Sequence, residues 1–168
     1  MVRQFACLTP ENGCIIANGD DQGARDALAD LGRPVRWFSV TDTNADIYAS
    51  NVAFFDGFPC FDVMADGKRY AHVELHVPGK HNISNALAAA AAAYVLGVDG
   101  TAVEEGLSSF TGAERRFQYK GTFNGAQVYD DYAHHPDELH ALLDMARSLP
   151  HQRLVCAFQP HTYTRTKA

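Results

Sequence analysis

Apolar and polar positions fall along this chain in short, differently phased blocks. Cys14–Asn18 (CIIAN) is an apolar run that predicts a strand. It leads into Asp20-Asp21, acids placed to cap a helix whose inward face is Ala24, Ala27, Leu28 and Leu31, with Gly32 just past its end. Val35–Val40 (VRWFSV) predicts the next strand. Strand, helix, strand is the unit of a parallel α/β sheet. The texture then changes. Ile47–Phe55, Cys60–Ala65 and Arg69–Val77 read as strands, separated by FDGFP and by Asp66-Gly67, a dipeptide suited to the positive φ of a hairpin turn. In the third run Tyr70, His72, Glu74 and His76 alternate with Ala71, Val73, Leu75 and Val77, which predicts one solvated face.

Pro78-Gly79 breaks that pattern, and helical spacing takes over from about Asn82 to Leu96. Six consecutive alanines, Ala88–Ala93, favour helix and leave little bulk between it and a neighbour. Thr101 with Glu104 predicts a capping box for another helix through Val103 and Leu107. Phe117–Phe123 and Ala126–Asp131 flank Asn124-Gly125, a second hairpin signal. Pro136 suits a first helical turn, Asp137 and Glu138 its positive end, and Leu139, Leu142, Leu143 and Ala146 its buried stripe. Leu154–Phe158 predicts a last strand, and a domain boundary is expected near Phe110–Ala113.

Composition narrows the function classes. The 168 residues are 46% hydrophobic and 20% charged, enough apolar material for a packed core. Fourteen basic against twenty acidic residues give a net charge of −6, which argues against a general grip on nucleic acid. The excess of acid lies mainly in residues 1–100, so any anion site must be local. No apolar run approaches the roughly 20 residues of a bilayer span, and the first residues, MVRQFACLTPENG, lack a signal-peptide core. The four cysteines, at 7, 14, 60 and 156, show no CxxC or metal-ligand spacing and read as free thiols of a cytoplasmic protein without a membrane partner.

Three polar clusters carry the candidate chemistry. Gly79-Lys80-His81-Asn82-Ile83-Ser84-Asn85 opens the alanine-rich helix, and Asn82 and Asn85, three apart, share a face. Amides offer donor and acceptor together, as a purine edge requires, but asparagine also serves as a simple helix cap. GxxxxGK[ST], the phosphate-cradling P-loop, appears nowhere. The second cluster is Arg115-Arg116-Phe117 with Asp130-Asp131-Tyr132-Ala133-His134-His135-Pro136. It suits a metal, a ribose or a helix cap, and is expected beyond the carboxyl end of a strand, where open α/β sheets bind ligands. The third, Phe158 to Thr166 (FQPHTYTRT), offers Arg165 as a bidentate clamp for a carboxylate or phosphate beside His161.

Four segments, GKHNISNALAA at 79–89, GAERRFQ at 112–118, DDYAHHP at 130–136 and FQPHTYTRT at 158–166, together resemble the Mur ligases of bacterial cell-wall synthesis. The resemblance implies an α/β fold. Residues 1–111 would be the second half of a P-loop-type central domain with a small antiparallel β subregion, and residues 112–168 the start of a Rossmann-like C-terminal domain. It implies ATP-dependent amide-bond formation through an acyl phosphate, with Mg²⁺, and FQPHTYTRT points to the branch that joins L-alanine to UDP-N-acetylmuramate. Residue by residue, it implies His81, Asn82 and Asn85 around the adenine and Arg116 on the phosphates. Asp131 and His134 would approach the nucleotide from the other side, and Tyr132, His161 and Arg165 would line the amino-acid pocket. Thr162 stands where many members carry an arginine, which leaves Arg165 alone on the carboxylate. No metal ligand is assigned here, and without a P-loop no turnover is expected from these residues alone. Two other classes fit the residues. One is a metal-dependent phosphoesterase built on Asp130, Asp131, His134 and His135, with Asp20-Asp21 as further ligands. The other is a non-catalytic module that self-associates as a homodimer through an open sheet edge after Leu154–Phe158.

Overall fold

The computed structural model describes residues 2–160. Short helix α1 (Val2–Ala6) precedes β1 (Ile15–Asn18), α2 (Gln22–Leu28) and β2 (Val35–Ser39). Strands β1 and β2 run parallel, Ile15 opposite Val35, as the crossover through α2 requires. Strand β3 (Ile47–Phe55) pairs parallel with β2, and β4 (Phe58–Ala65) and β5 (Lys68–Glu74) then fold back as antiparallel neighbours. The five strands make one sheet in chain order. The turn before β5 is the expected Asp-Gly, with φ of +46° at Asp66 and +75° at Gly67. Its local conformation matches the twist of the strands it joins.

One face of this sheet is covered by α3 (His81–Val95). Phe61, Val63, Val73 and Ile47 from the strands and Ile83, Leu87, Ala90 and Ala91 from the helix are fully buried together. Each buried Leu, Ile or Phe contributes about 1.5–3 kcal/mol, and methyl side chains along the helix keep the two layers close. Beyond α3, α4 (Gly100–Ser109) lies along β5, the last strand of the sheet.

The remaining chain forms a smaller unit. Strands β6 (Gln118–Phe123) and β7 (Ala126–Asp130) make a separate hairpin around Asn124-Gly125, followed by α5 (Pro136–Ser148). It meets the larger unit at two glycines. A side chain on Gly57 would lie 2.6 Å from Leu149, and one on Gly79 would lie 2.9 Å from the Met145 Cγ atom. Gly79 also sits at φ +99°, a conformation L side chains rarely adopt.

Several expectations are corrected. Strand β5 ends at Glu74 rather than Val77, although Leu75 and Val77 remain buried. The cap of α4 is Asp99, whose carboxylate accepts from the Thr101 backbone N–H at 2.9 Å. Glu104, expected as the other half of a box with Thr101, instead accepts from the His72 backbone N–H at 2.6 Å and ties α4 to β5. Asp21 caps α2 as expected, but Asp20 does not. It accepts from the Ser39 hydroxyl, the Val40 N–H and the Thr41 hydroxyl, binding the end of β1 to the end of β2. Leu154–Phe158 is exposed and is not a strand, because a strand exists only through a partner ladder and β6 and β7 pair only with each other among the described residues. Helix α1 was not anticipated.

Candidate functional site

A cleft of about 1180 Å³ opens where the hairpin unit faces the start of α3. From the larger unit it receives His81, Asn82 and Asn85, presented by the first turns of α3 after the Pro78-Gly79 break. From the smaller unit it receives Arg116, just before β6, and Asp131, just after β7. Five of the residues singled out in the sequence therefore converge, although the two groups lie 31 to 50 positions apart.

Their bonding is specific. Asn82 Nδ2 donates to the Pro78 carbonyl at 2.8 Å, and its Oδ1 accepts from Asn85 Nδ2 at 3.0 Å. That chain of bonds orients Asn85, whose Oδ1 has no partner among the described residues. Asp131 accepts from the Phe117 N–H and the Ala133 N–H, both at 2.7 Å, so it joins the two ends of the hairpin. His81 is held below the usual histidine range, first by its burial and also by the Arg116 cation, while Asp131 pulls the other way. Arg116 is half exposed and 3.9 Å from Glu138, which leaves much of its guanidinium facing solvent.

Residues 134 to 138 form a tight helix start. The Glu138 carboxylate accepts from the backbone N–H groups of His134 at 3.1 Å and His135 at 3.2 Å, which hold it below the usual carboxylate range. The His135 ring accepts from the Asp137 N–H at 3.3 Å, completing a capping box. Tyr132 lies under the Arg115 guanidinium at 4.7 Å, and His134 packs edge-on to Tyr132 at 5.2 Å. Both sit beside the cleft, not in its lining. His161 and Arg165 lie outside the described residues.

The cluster that the alternative phosphoesterase reading requires does not form among the described residues. Asp130, Asp131, His134 and His135 do not gather as a metal-ligand group among the described residues. Asp131 is committed to backbone, His135 to its helix, and Asp20 to β2. The second cluster follows the carboxyl end of β7 as expected, and that strand belongs to the antiparallel hairpin read from Asn124-Gly125. Sequence reasoning also missed an aromatic wall. Phe117 and Tyr129 stack at 4.3 Å, with Tyr119 tilted against Tyr129 at 5.5 Å, and all three line the cleft. The period-two alternation of the hairpin, with Phe117 and Tyr119 on one strand and Tyr129 on the other, was the available signal. Arg115 and Phe117, at φ of +57° and +44°, bracket Arg116 with unusual backbone.

A mixed α/β sheet with an antiparallel extension, joined to a hairpin-and-helix unit across a cleft of polar and aromatic side chains, defines an α/β protein of two units. Residues 3–93 match the description Mur ligase middle domain, and residues 115–168 match Mur ligase, glutamate ligase domain. The chain belongs to the Mur ligase family. A curated UDP-N-acetylmuramate–L-alanine ligase of Acetivibrio thermocellus is 46% identical over 165 residues, covering 98% of this chain and 35% of the relative. One of Clostridium beijerinckii is 43% identical over 166 residues, covering 98% and 36%. The crystal structure of UDP-N-acetylmuramate-alanine ligase from Thermotoga maritima aligns with a TM-score of 0.64 at 28% identity, over 88% of this chain and 40% of that one. The chain thus spans little more than a third of the curated relatives it matches.

Proposed function

We propose that the cleft is part of the ATP site of a ligase that joins L-alanine to UDP-N-acetylmuramate. In this reading residues 1–111 form the second half of its central domain and residues 112–168 the start of its C-terminal domain. The observation that carries the reading is the convergence of His81, Asn82 and Asn85 with Arg116 and Asp131 across one cleft. The residues fit a nucleotide. Asn85 offers an unpaired amide oxygen to an exocyclic amine, the Phe117–Tyr129 pair supplies an apolar wall, and Arg116 supplies a cation for phosphate oxygens.

ATP would supply the phosphoryl group that activates a carboxylate toward an amine. The chain's own residues bind and orient. Asn82 aims Asn85, Asp131 holds the Arg116 and Tyr132 segments together through backbone, and His81 stays neutral near pH 7 because it is buried. Arg116 meets negative charge developing on the transferred group. Tyr132 and His134, beside the cleft, together with His161 and Arg165, are assigned to the amino-acid and C-terminal side of the site. Mg²⁺ would accompany the ATP phosphates, and none of this chain's residues is assigned to it.

Calorimetric titration with ATP and with adenosine tests the reading. Asn85→Ala is expected to weaken both by about tenfold, the loss of one hydrogen bond of about 1.4 kcal/mol. Arg116→Ala is expected to weaken ATP and leave adenosine unchanged. Equal binding by all three proteins, or no binding at all, would remove the assignment. No alanine-dependent ADP release is expected from these 168 residues alone.

A further inference from the structure

On the face of the sheet opposite α3, β4 and β5 bring together four side chains that the sequence spacing conceals. Cys60 is paired in register with Glu74, and Asp62 with His72. Residues two apart on a strand share a face, so these two cross-strand pairs stack as one patch. The intervening Phe61 and Val73 point the other way and are fully buried. Cys60 Sγ lies 3.5 Å from His72 Nε2, and Glu74 Oε1 lies 3.8 Å from the same nitrogen. All three donor atoms fall within 4.8 Å of one another.

We propose that Cys60 Sγ, His72 Nε2 and Glu74 Oε1 form a three-point binding site for Zn²⁺, with water in the fourth position. Tetrahedral bonds of normal Zn–S and Zn–N length separate sulfur from nitrogen by about 3.5 Å, the spacing found here. The donor set of thiolate, imidazole and carboxylate suits zinc and not magnesium, which takes oxygen.

The surroundings orient the ligands. Asp62 is 12% exposed at its side chain, and its Oδ1 lies 2.7 Å from His72 Nδ1. An ionised carboxylate only accepts, so Nδ1 carries the proton and Nε2 keeps its lone pair for the metal. Asp62 is itself fixed by Asn51 Nδ2 at 2.8 Å, with the Arg69 guanidinium 4.0 Å from its Oδ1. The backbone of His72 is held by Glu104 from α4. A carboxylate behind a metal-binding histidine is the arrangement that raises ligand basicity and fixes the ring. The open side faces a shallow hollow bounded by His76 and Glu105, with room for a small fourth ligand. On binding, the Cys60 S–H bond breaks, its electron pair goes to the metal and its proton to buffer. The ion clamps β4 to β5 at the edge of the sheet.

The test is titration of the purified chain, reduced with a non-thiol reagent, with Zn²⁺ by calorimetry and with Co²⁺ by absorption. One site per chain is expected, with a thiolate-to-cobalt charge-transfer band and a rise in melting temperature on adding Zn²⁺. Cys60→Ser should abolish the band and the thermal shift. Asp62→Asn should keep the band and weaken affinity about 10–100-fold. Should Asp62→Asn fail to fold, Glu74→Gln, which is exposed, should weaken affinity and keep the band. A band that survives Cys60→Ser, placing the metal on Cys7, Cys14 or Cys156, would overturn the proposal. So would an affinity no greater for Zn²⁺ than for Mg²⁺.

Discussion

Asp20 shows how one side chain can be assigned to the wrong neighbour from sequence. Next to Asp21 it reads as a second helix cap, yet its carboxylate reaches across to the end of β2 and accepts three hydrogen bonds. Burial alone would raise its pKa, but the Ser39 hydroxyl, the Val40 N–H and the Thr41 hydroxyl outweigh it and hold the group below the usual carboxylate range. Asp20→Ala is expected to cost about 1–3 kcal/mol in urea unfolding. Because the folded-state value is depressed, this contribution is present above the ordinary carboxylate range and disappears as pH falls through the folded value, so wild type and variant should converge in acid. His81 runs with the opposite chemistry and the same slope. Its depressed value means the unfolded chain takes up the proton first, so stability is full above the ordinary value of 6.5 and declines as pH falls below it. His81→Gln should flatten that part of a pH–stability curve.

At the scale of elements, local chemistry and tertiary contact divide the helix starts between them. The α5 cap was legible in Pro136, Asp137 and Glu138, and the structure adds only the His135 ring. The α4 cap was misread because Thr101 and Glu104 have the right spacing for a box, while Asp99, two residues earlier, is the side chain that reaches the free N–H. Asp99→Ala should therefore destabilise the fold by about 0.5–2 kcal/mol in thermal or urea melts, and Thr101→Ala by no more than a few tenths. The hairpins were legible at Asp66-Gly67 and Asn124-Gly125, where the turn itself needs positive φ. Leu154–Phe158 was not, since five apolar residues predict a strand only if a ladder is there to receive them.

For the molecule as a whole, the cleft depends on how the two units dock. Gly79 turns the chain into α3 beside Met145 of α5, and Gly57 lets Leu149 approach the β3–β4 turn. Gly79→Ala forces a side chain into a positive-φ site and against Met145, so a loss of about 1–3 kcal/mol is expected. Small-angle scattering should show a larger radius of gyration as α5 lifts away. No helix among the described residues is long and apolar enough to cross a membrane.

The sequence by itself determined the strands and helices whose signals are local: apolar period, cap chemistry and turn dipeptides act over a few residues. Its four motifs also pointed to the family that the comparisons show. Only the tertiary structure decided which side chains share a space. It placed Asp131 on backbone amides, kept Tyr132 and His134 out of the cleft lining, and lined that cleft with aromatic rings. It also stacked Cys60 and Glu74 on Asp62 and His72. Those outcomes depend on register and docking, which join positions 10 to 70 residues apart, and no short-range pattern encodes them.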